Sequence, residues 1–517
     1  MESEQLASTA TPISARDAQE ILRLRKTNDL SDPMAKLPLD NVLEIFDRCL
    51  ESPTRTPERE EQRSYIETVF TLGSVCRSWR QTVWSTPGFW KYMPLIIGAR
   101  NMADTLSIIQ GWIERASNLP ISVKILVDHK SYPFSKPNMR KFIQVANLIN
   151  VFSSQLETFS LKMPVPLMSK FSSRSSYLKE ICLYNNDDDS LRTYGDLEAY
   201  KPWTDRSDTL GLAKLEETKQ KSVPNTLVIG RILFKSIYAS WNNLITVHAQ
   251  DINVNDFFRI LQGAPRLQEF QIFESRAGPY YLTEPVAPIA HTALVQLDID
   301  GRDASFLDII CRNILKLSAL QRLFINLDHK LTGLECLVEL IGRSSPPLGS
   351  LVLHAPLPES LDLVSMLKAV PQLTYLAISP SENSDRKFTA ESLFNHFSHT
   401  KDEFLPVLQS FSYDPLGPKE YQRVCNLIPN IFDIAKCPRK EAGSNIDDPS
   451  RRPLNFLGIY YQPPRHSYEY QPPKISSRTR ARIDKVMETG VEIDIEDYRP
   501  IIVRDIPARD VDVHEEW

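Results

Sequence analysis

Apolar residues return along this chain in one frame: a leucine, two variable positions, an apolar residue, one variable position, a second apolar residue. The frame reads Leu156-x-x-Phe159-x-Leu161, Leu178-x-x-Ile181-x-Leu183, Leu267-x-x-Phe270-x-Ile272 and Leu294-x-x-Leu297-x-Ile299. It continues at Leu320-x-x-Leu323-x-Ile325, Leu348-x-x-Leu351-x-Leu353, Leu373-x-x-Leu376-x-Ile378 and Leu408-x-x-Phe411-x-Tyr413, with a partial match at Leu244-x-x-Val247. In a chain that is 42% apolar, three such positions agree by chance roughly 7% of the time, so spacing carries the signal. From Leu244 to Leu373 the frame recurs after 23, 27, 26, 28 and 25 residues. Between the strands, Phe257, Phe258 and Leu261, then Leu307, Ile310 and Ile314, then Leu337, Leu340 and Ile341, then Leu363, Leu367 and Val370 form helical faces. Pro265, Pro371 and Pro406 each stand two residues before a strand leucine, where proline ends a helix and starts extended chain. The pattern predicts an α/β array over residues 96–437 with its strands in a parallel sheet. No single unit of such an array can bury its apolar face alone, so neighbours stack. A polar stretch, 185–225, reads as an insert, and the longer interval before Leu408 predicts an insertion near Ser379 to Asp385.

The first residues behave differently. Positions 1–33 are polar and read as a flexible leader, with a short helix over Asp17 to Arg25. Asp40 is a candidate helix N-cap after Pro38, and Val42, Ile45, Phe46, Cys49 and Leu50 make one helical face. Glu51 to Ser64 carries seven charges in 14 residues and two prolines, which predicts a solvated loop. Leu72, Val75, Cys76, Trp79 and Val83 then predict a second helix, closed by the turn Ser85-Thr86-Pro87-Gly88. With Trp79, Trp84 and Trp90 it makes a small helical unit, residues 34–95. Beyond 437, residues 438–517 read as an extension. It holds a last candidate strand at Leu454-x-x-Leu457-x-Ile459, a doubled Tyr-Gln-Pro-Pro at Tyr461 and Tyr470, and a helix from Ser476 to Met487 stopped at Gly490.

Charge and cysteine usage narrow the function. Lys plus Arg number 60 and Asp plus Glu 65, a net charge of −5 across 517 residues, which disfavours a basic nucleic-acid binder. No apolar run is long enough for a membrane span, and no secretory signal is visible at Met1 to Ala10. Seven cysteines without paired spacing suit reduced thiols in the cytoplasm or nucleus. No phosphate-cradling, hydrolase or zinc motif occurs, so the sequence predicts no catalytic residues, no cofactor and no metal site. Cys76 falls on an apolar helix face, where cysteine packs. His396-x-x-His399 has a helical spacing but lacks a supporting carboxylate or cysteine pair. The basic run from Lys474 to Arg482 reads as one face of a helix.

The N-terminal motifs resemble those of the F-box family. They are Leu37-Pro38-x-Asp40, Glu44-Ile45-Phe46, Val75-Cys76-Arg77-x-Trp79-Arg80 and Thr86-Pro87-x-x-Trp90, with Trp112-Ile113-Glu114-Arg115 and Leu119-Pro120 similar to F-box proteins of mushroom-forming fungi. The array resembles leucine-rich repeats more loosely. The resemblance implies an α/β chain with a short helical F-box followed by an irregular leucine-rich-repeat-like solenoid. It also implies a non-catalytic subunit of a Skp–cullin–F-box ubiquitin ligase that recruits a protein substrate. Carried over by position, Leu37, Pro38, Val42, Ile45, Phe46, Val75, Cys76 and Trp79 would form or support the surface for the Skp adaptor. Asp40 and Asn41 depart from the family pattern, which has Glu and an apolar residue there. The alternative is a protein-interaction scaffold outside a ligase.

Overall fold

The computed structural model describes residues 16, 19–24, 27, 36–50, 58–99, 102–128, 132–172, 175, 177–186, 224–232, 234–237, 239–275, 288–301, 304–327, 334–355, 360–380, 390–399, 404–415, 417–432, 454–460 and 475–495. It is a mixed α/β protein with a large parallel sheet. The chain divides into two compact units, one up to Ser160 and one over Leu161–Val511. Most of 1–33 lies outside the described residues. Positions 19–24 are helical and exposed, with Arg23 and Glu20 paired at 2.8 Å.

The first unit opens with α1 (Leu39–Leu50), whose Val42, Phe46 and Leu50 are buried at helical spacing. Asp40, expected as the N-cap, lies inside the first turn, because the Pro38 carbonyl already accepts from Asn41 and Val42 at 3.1 and 3.2 Å. A carboxylate there still favours the helix by facing its positive end. The expected loop 51–64 is corrected in its second half, since α2 (Glu58–Val75) starts at Glu58. Both prolines, Pro53 and Pro57, precede that point, and the charged residues after it are good helix formers. The single helix expected through Cys76 is two helices. Cys76 is extended, and its thiol caps α3 (Arg77–Ser85) by accepting from the Trp79 N–H at 3.4 Å.

Gly73 lets α2 and α3 approach: a Cβ there would stand 1.9 Å from the Trp84 ring. That ring is held edge-on to Trp90 at 5.4 Å and lies beneath the Arg115 guanidinium at 5.4 Å. Helix propensity alone favours alanine over glycine by about 1 kcal/mol. Here the clash reverses the sign, so Gly73→Ala lowers the melting temperature in a thermal scan, at a cost of about 1–3 kcal/mol. Trp90 continues the cluster to Trp112 at 4.8 Å and donates to the Val83 carbonyl at 2.9 Å. Through it the helices pack on a parallel pair, β1 (Tyr92–Ile97) and β2 (Ile121–Val127), joined by α4 (Met102–Ala116). Next come α5 (Lys136–Val151) and β3 (Leu156–Lys162), within which the division between units falls.

The second unit is built on β4 (Glu180–Tyr184), β5 (Thr226–Gly230), β6 (Thr246–Gln250) and β7 (Glu269–Ser275), with α6 (Val254–Gly263) before β7. A small pair, β8 (Ile289–Ala290) with β10 (Ile314–Lys316), flanks β9 (Gln296–Gly301) and α7 (Ala304–Asn313). Then follow β11 (Arg322–Leu327), α8 (Leu334–Ser344), β12 (Ser350–Ala355), α9 (Ser360–Lys368), β13 (Tyr375–Pro380), α10 (Ala390–His399) and β14 (Ser410–Tyr413). The described residues end with α11 (Pro418–Phe432), β15 (Phe456–Ile459), α12 (Ser477–Met487) and β16 (Glu492–Asp494). Apart from β8 and β10, these strands pair in parallel in chain order.

Register carries the two apolar positions of the frame from strand to strand. One ladder runs Ile181, Leu227, Val247, Phe270, Leu297, Leu323, Leu351, Leu376, Phe411, Leu457, Ile493. The other runs from Leu183 through Ile272, Ile325 and Ile378 to Ile459. A backbone device repeats with them. The carbonyls of Gln268, Val295, Gln321, Gly349, Thr374 and Gln409 each accept two N–H groups from the following unit, at 2.8–3.1 Å. Helix faces close over the ladders, as where Phe257 stacks on Phe270 at 5.1 Å and Phe397 tilts onto Phe411 at 5.1 Å.

Several boundaries differ from expectation. Both ends of the 185–225 insert are in the sheet framework: the Asn185 N–H bonds Gly230 and the Asn225 N–H bonds Lys179. Residues 187–223 lie outside the described residues, as do 381–385 of the second insertion; Ser379 and Pro380 finish β13. Residues 454–494 of the extension add β15, α12 and β16 to the array. The linker from 436 to 452 and the Tyr-Gln-Pro-Pro repeats lie outside the described residues.

One buried histidine ties adjacent units together. His291 accepts the Leu294 N–H on Nδ1 at 3.1 Å, so Nε2 carries the proton and donates to the Ala264 carbonyl at 3.0 Å. Burial pushes its pKa below the ordinary 6.5, opposed by the Ala264 bond. A depressed histidine stabilises the fold fully above about pH 6.5, and that contribution is lost as pH falls below it. Urea midpoints should therefore drop between pH 7 and 5 in the native chain, and drop less in His291→Gln.

Candidate functional site

The eight residues expected at the adaptor surface separate into two groups. Val42 and Phe46 are buried and support α1 from within. Phe46 packs against Trp79 at 4.9 Å and Phe89 at 6.1 Å. Cys76 is half-buried as the cap of α3, and Trp79 is half-buried over Phe46. Leu37, Pro38, Ile45 and Val75 are on the surface, with Leu37 and Ile45 each 40% exposed and Val75 56%.

The Phe46–Trp79 contact brings the α2–α3 junction against α1. Exposed Ile45 and exposed Val75 are thus presented by elements packed on one another. Two exposed apolar residues escape the motif: Leu39 at 61% and Phe70 at 43%. Leu39 was recoverable from its place beside Leu37 and Pro38. Phe70 was not, because α2 has little amphipathic pattern to say which side faces inward. α1 carries Asp40, Glu44 and Asp47 against Arg48 alone, and Glu44 pairs with Arg48 at 2.9 Å. The arrangement leaves branched apolar side chains exposed, together with the free Cys49 thiol on α1. No family model matches the sequence, and no curated protein matches it.

Among the described residues, no group of three or more His, Cys, Asp or Glu could hold a metal ion. His396 lies against the Phe404 ring at 5.7 Å, and the side chain of His399 lies outside the described residues. Among the described residues no helix is long and apolar enough to cross a membrane. In the basic run, Arg480 pairs with Asp484 at 3.2 Å, and Arg482 donates to Asn430 at 3.0 Å.

The second unit offers a different surface. Strand residues alternating with the buried ladders project from the opposite face of the sheet. There Gln271 donates to Glu269 at 2.8 Å, Gln296 to Asp298 at 2.7 Å and Asn326 to Asp300 at 3.2 Å. Burial pushes the Asp298 carboxyl up to about 7. The Gln296 bond opposes that, the Glu269 charge adds to it and Arg322 opposes it.

Proposed function

We propose that the chain is the non-catalytic substrate-recognition subunit of a Skp–cullin–F-box ubiquitin ligase. In this reading residues 34–95 are an F-box, and the repeated strand–helix units form an irregular leucine-rich-repeat-like solenoid that recruits a protein substrate. The supporting observation is the exposure of Leu37 just before α1 and of Leu39, Ile45 and Val75 on helices whose packing is anchored by Phe46, Trp84 and Trp90. Exposed apolar side chains on a well-packed support are what a docking partner buries. The chain would speed ubiquitin transfer only by raising the local concentration of substrate beside the transferring enzyme.

The test is Leu39→Asp combined with Val75→Asp, read by calorimetric titration with the Skp adaptor. Both positions are exposed, so the melting temperature stays within a degree or so while affinity falls about 100-fold, roughly 2.7 kcal/mol. Unchanged affinity in the folded variant removes the docking assignment. The scaffold reading is separated by reconstitution. In an assembled ligase the chain's own lysines are held near the transferring enzyme and take up ubiquitin, whereas a scaffold outside the ligase remains unmodified.

A further inference from the structure

The segment ahead of α1 is amphipathic where it is described. Arg16, positions 19–24 and Thr27 are helical, and the Thr27 hydroxyl donates to the Arg23 carbonyl at 2.9 Å. At helical spacing Ile21, Leu22 and Leu24 fall on one side, and Gln19, Glu20 and Arg23 on the other. The three apolar side chains are 39%, 63% and 50% exposed. A helix this short is marginal in water unless its apolar side packs on something.

Within the first unit, α1 and the end of α2 offer the match. Leu39, Ile45 and Val75 are exposed there, and the carboxylates Asp40, Glu44 and Asp47 of α1 face one base, Arg48. Segment 16–27 has the opposite balance, with Arg16, Arg23, Arg25 and Lys26 against Asp17 and Glu20. Leu37 follows Thr27 by ten residues, at most about 35 Å of chain, and a 12-residue helix is about 18 Å long, so all of α1 is within reach. Other exposed apolar residues of the unit fit less well. Ile143 and Val151 lie on α5, which bears Lys136, Arg140 and Lys141 and no carboxylate, so it repels a basic segment. Among the described residues of α4, Ile108 is the one exposed large apolar side chain.

We propose that segment 16–27 packs its Ile21, Leu22 and Leu24 side on the exposed apolar residues of α1 and the α2 end, and competes there with the adaptor. The inference rests on the reading that this surface docks the Skp adaptor, and it adds the regulation of that surface. The contact is made within one chain, so a short tether holds the segment at an effective concentration of about a millimolar, and a weak contact suffices. An adaptor then binds with an affinity reduced by the fraction of chains whose surface is open.

The test compares the full chain with a variant carrying Ile21→Gln and Leu24→Gln, which keeps the charge and the helix propensity. Hydrogen exchange of each chain alone should be about threefold faster in the variant over 16–27 and 39–50. Calorimetric titration with the Skp adaptor should show about tenfold tighter binding by the variant, and Arg16→Gln with Lys26→Gln should tighten it about threefold. Equal exchange in the two chains, or equal affinity for a bound adaptor, would overturn the proposal. So would protection of 39–50 that grows with chain concentration, because the occupant would then be a second copy. Exchange is read without adaptor. An adaptor that binds neither chain removes the docking reading and the competition with it, while the exchange comparison still decides the contact within the chain.

Discussion

Phe46→Ala destabilises the first unit by about 3–5 kcal/mol, the usual cost of truncating a fully buried phenylalanine. Phe46 is the joint between α1 and the rest of the helices, with its ring against Trp79 at 4.9 Å and Phe89 at 6.1 Å. Removing it leaves a cavity bordered by the rigid rings of Trp79 and Phe89, which limits how far the site can collapse. The expected result in a thermal scan is a lower first transition, with a red shift of tryptophan emission as Trp79 and its neighbours meet water. Hydrogen exchange should accelerate first in α1, which has no other fully buried aromatic anchor. On the proposed docking, adaptor binding should fall too, but through lost folding. That separates this variant from Leu39→Asp with Val75→Asp, which spares the core. A first transition within a degree of the native one would mean that α1 is held by something other than this contact.

Leu351→Ala costs about 2–5 kcal/mol. Leu351 is fully buried and sits in the ladder between Leu323 on β11 and Leu376 on β13. Each strand pairs only with its neighbours, so the loss is felt locally. Amides of β11, β12 and β13 should exchange faster, while those of β5 and β6, several strands away, keep their protection. A chemical denaturation curve that broadens along with its loss of midpoint would show that cooperativity along the array is also weakened. Uniform acceleration of exchange through the unit would contradict the nearest-neighbour account.

The array was legible because a strand with one buried face imposes a period of two, and because Pro265, Pro371 and Pro406 mark where three of the strands begin. The frames at Leu156, Leu178, Leu244, Leu267, Leu294, Leu320, Leu348, Leu373, Leu408 and Leu454 all end in strands. Strand β5 was missed because Pro224 stands where the leading leucine would be, although Leu227 and Ile229 occupy the two ladder positions. Strand β16 was missed because Gly490 stands where the leading leucine of the frame would be, although Val491, Ile493 and Ile495 alternate with acidic residues. At the N-terminus the motif located the helices but not their faces. Ile45 and Phe46 are adjacent and equally apolar in sequence, yet one is 40% exposed and the other fully buried. Which of them faces outward depends on where Trp79 and Phe89 fall in three dimensions. Likewise the break at Cys76 follows from a cap bond that no periodicity encodes.

The most direct test of the central claim is size-exclusion chromatography with light scattering of the full chain mixed with the Skp adaptor at low micromolar concentration. Point substitution is a better control than deletion of 34–95, because deletion would strip Trp90 from Trp112 and expose the core of the first unit. The account predicts a one-to-one complex that survives dilution through the column and is absent with Leu39→Asp and Val75→Asp. Two separate peaks from a folded native chain, or a complex that the double substitution leaves intact, would contradict it.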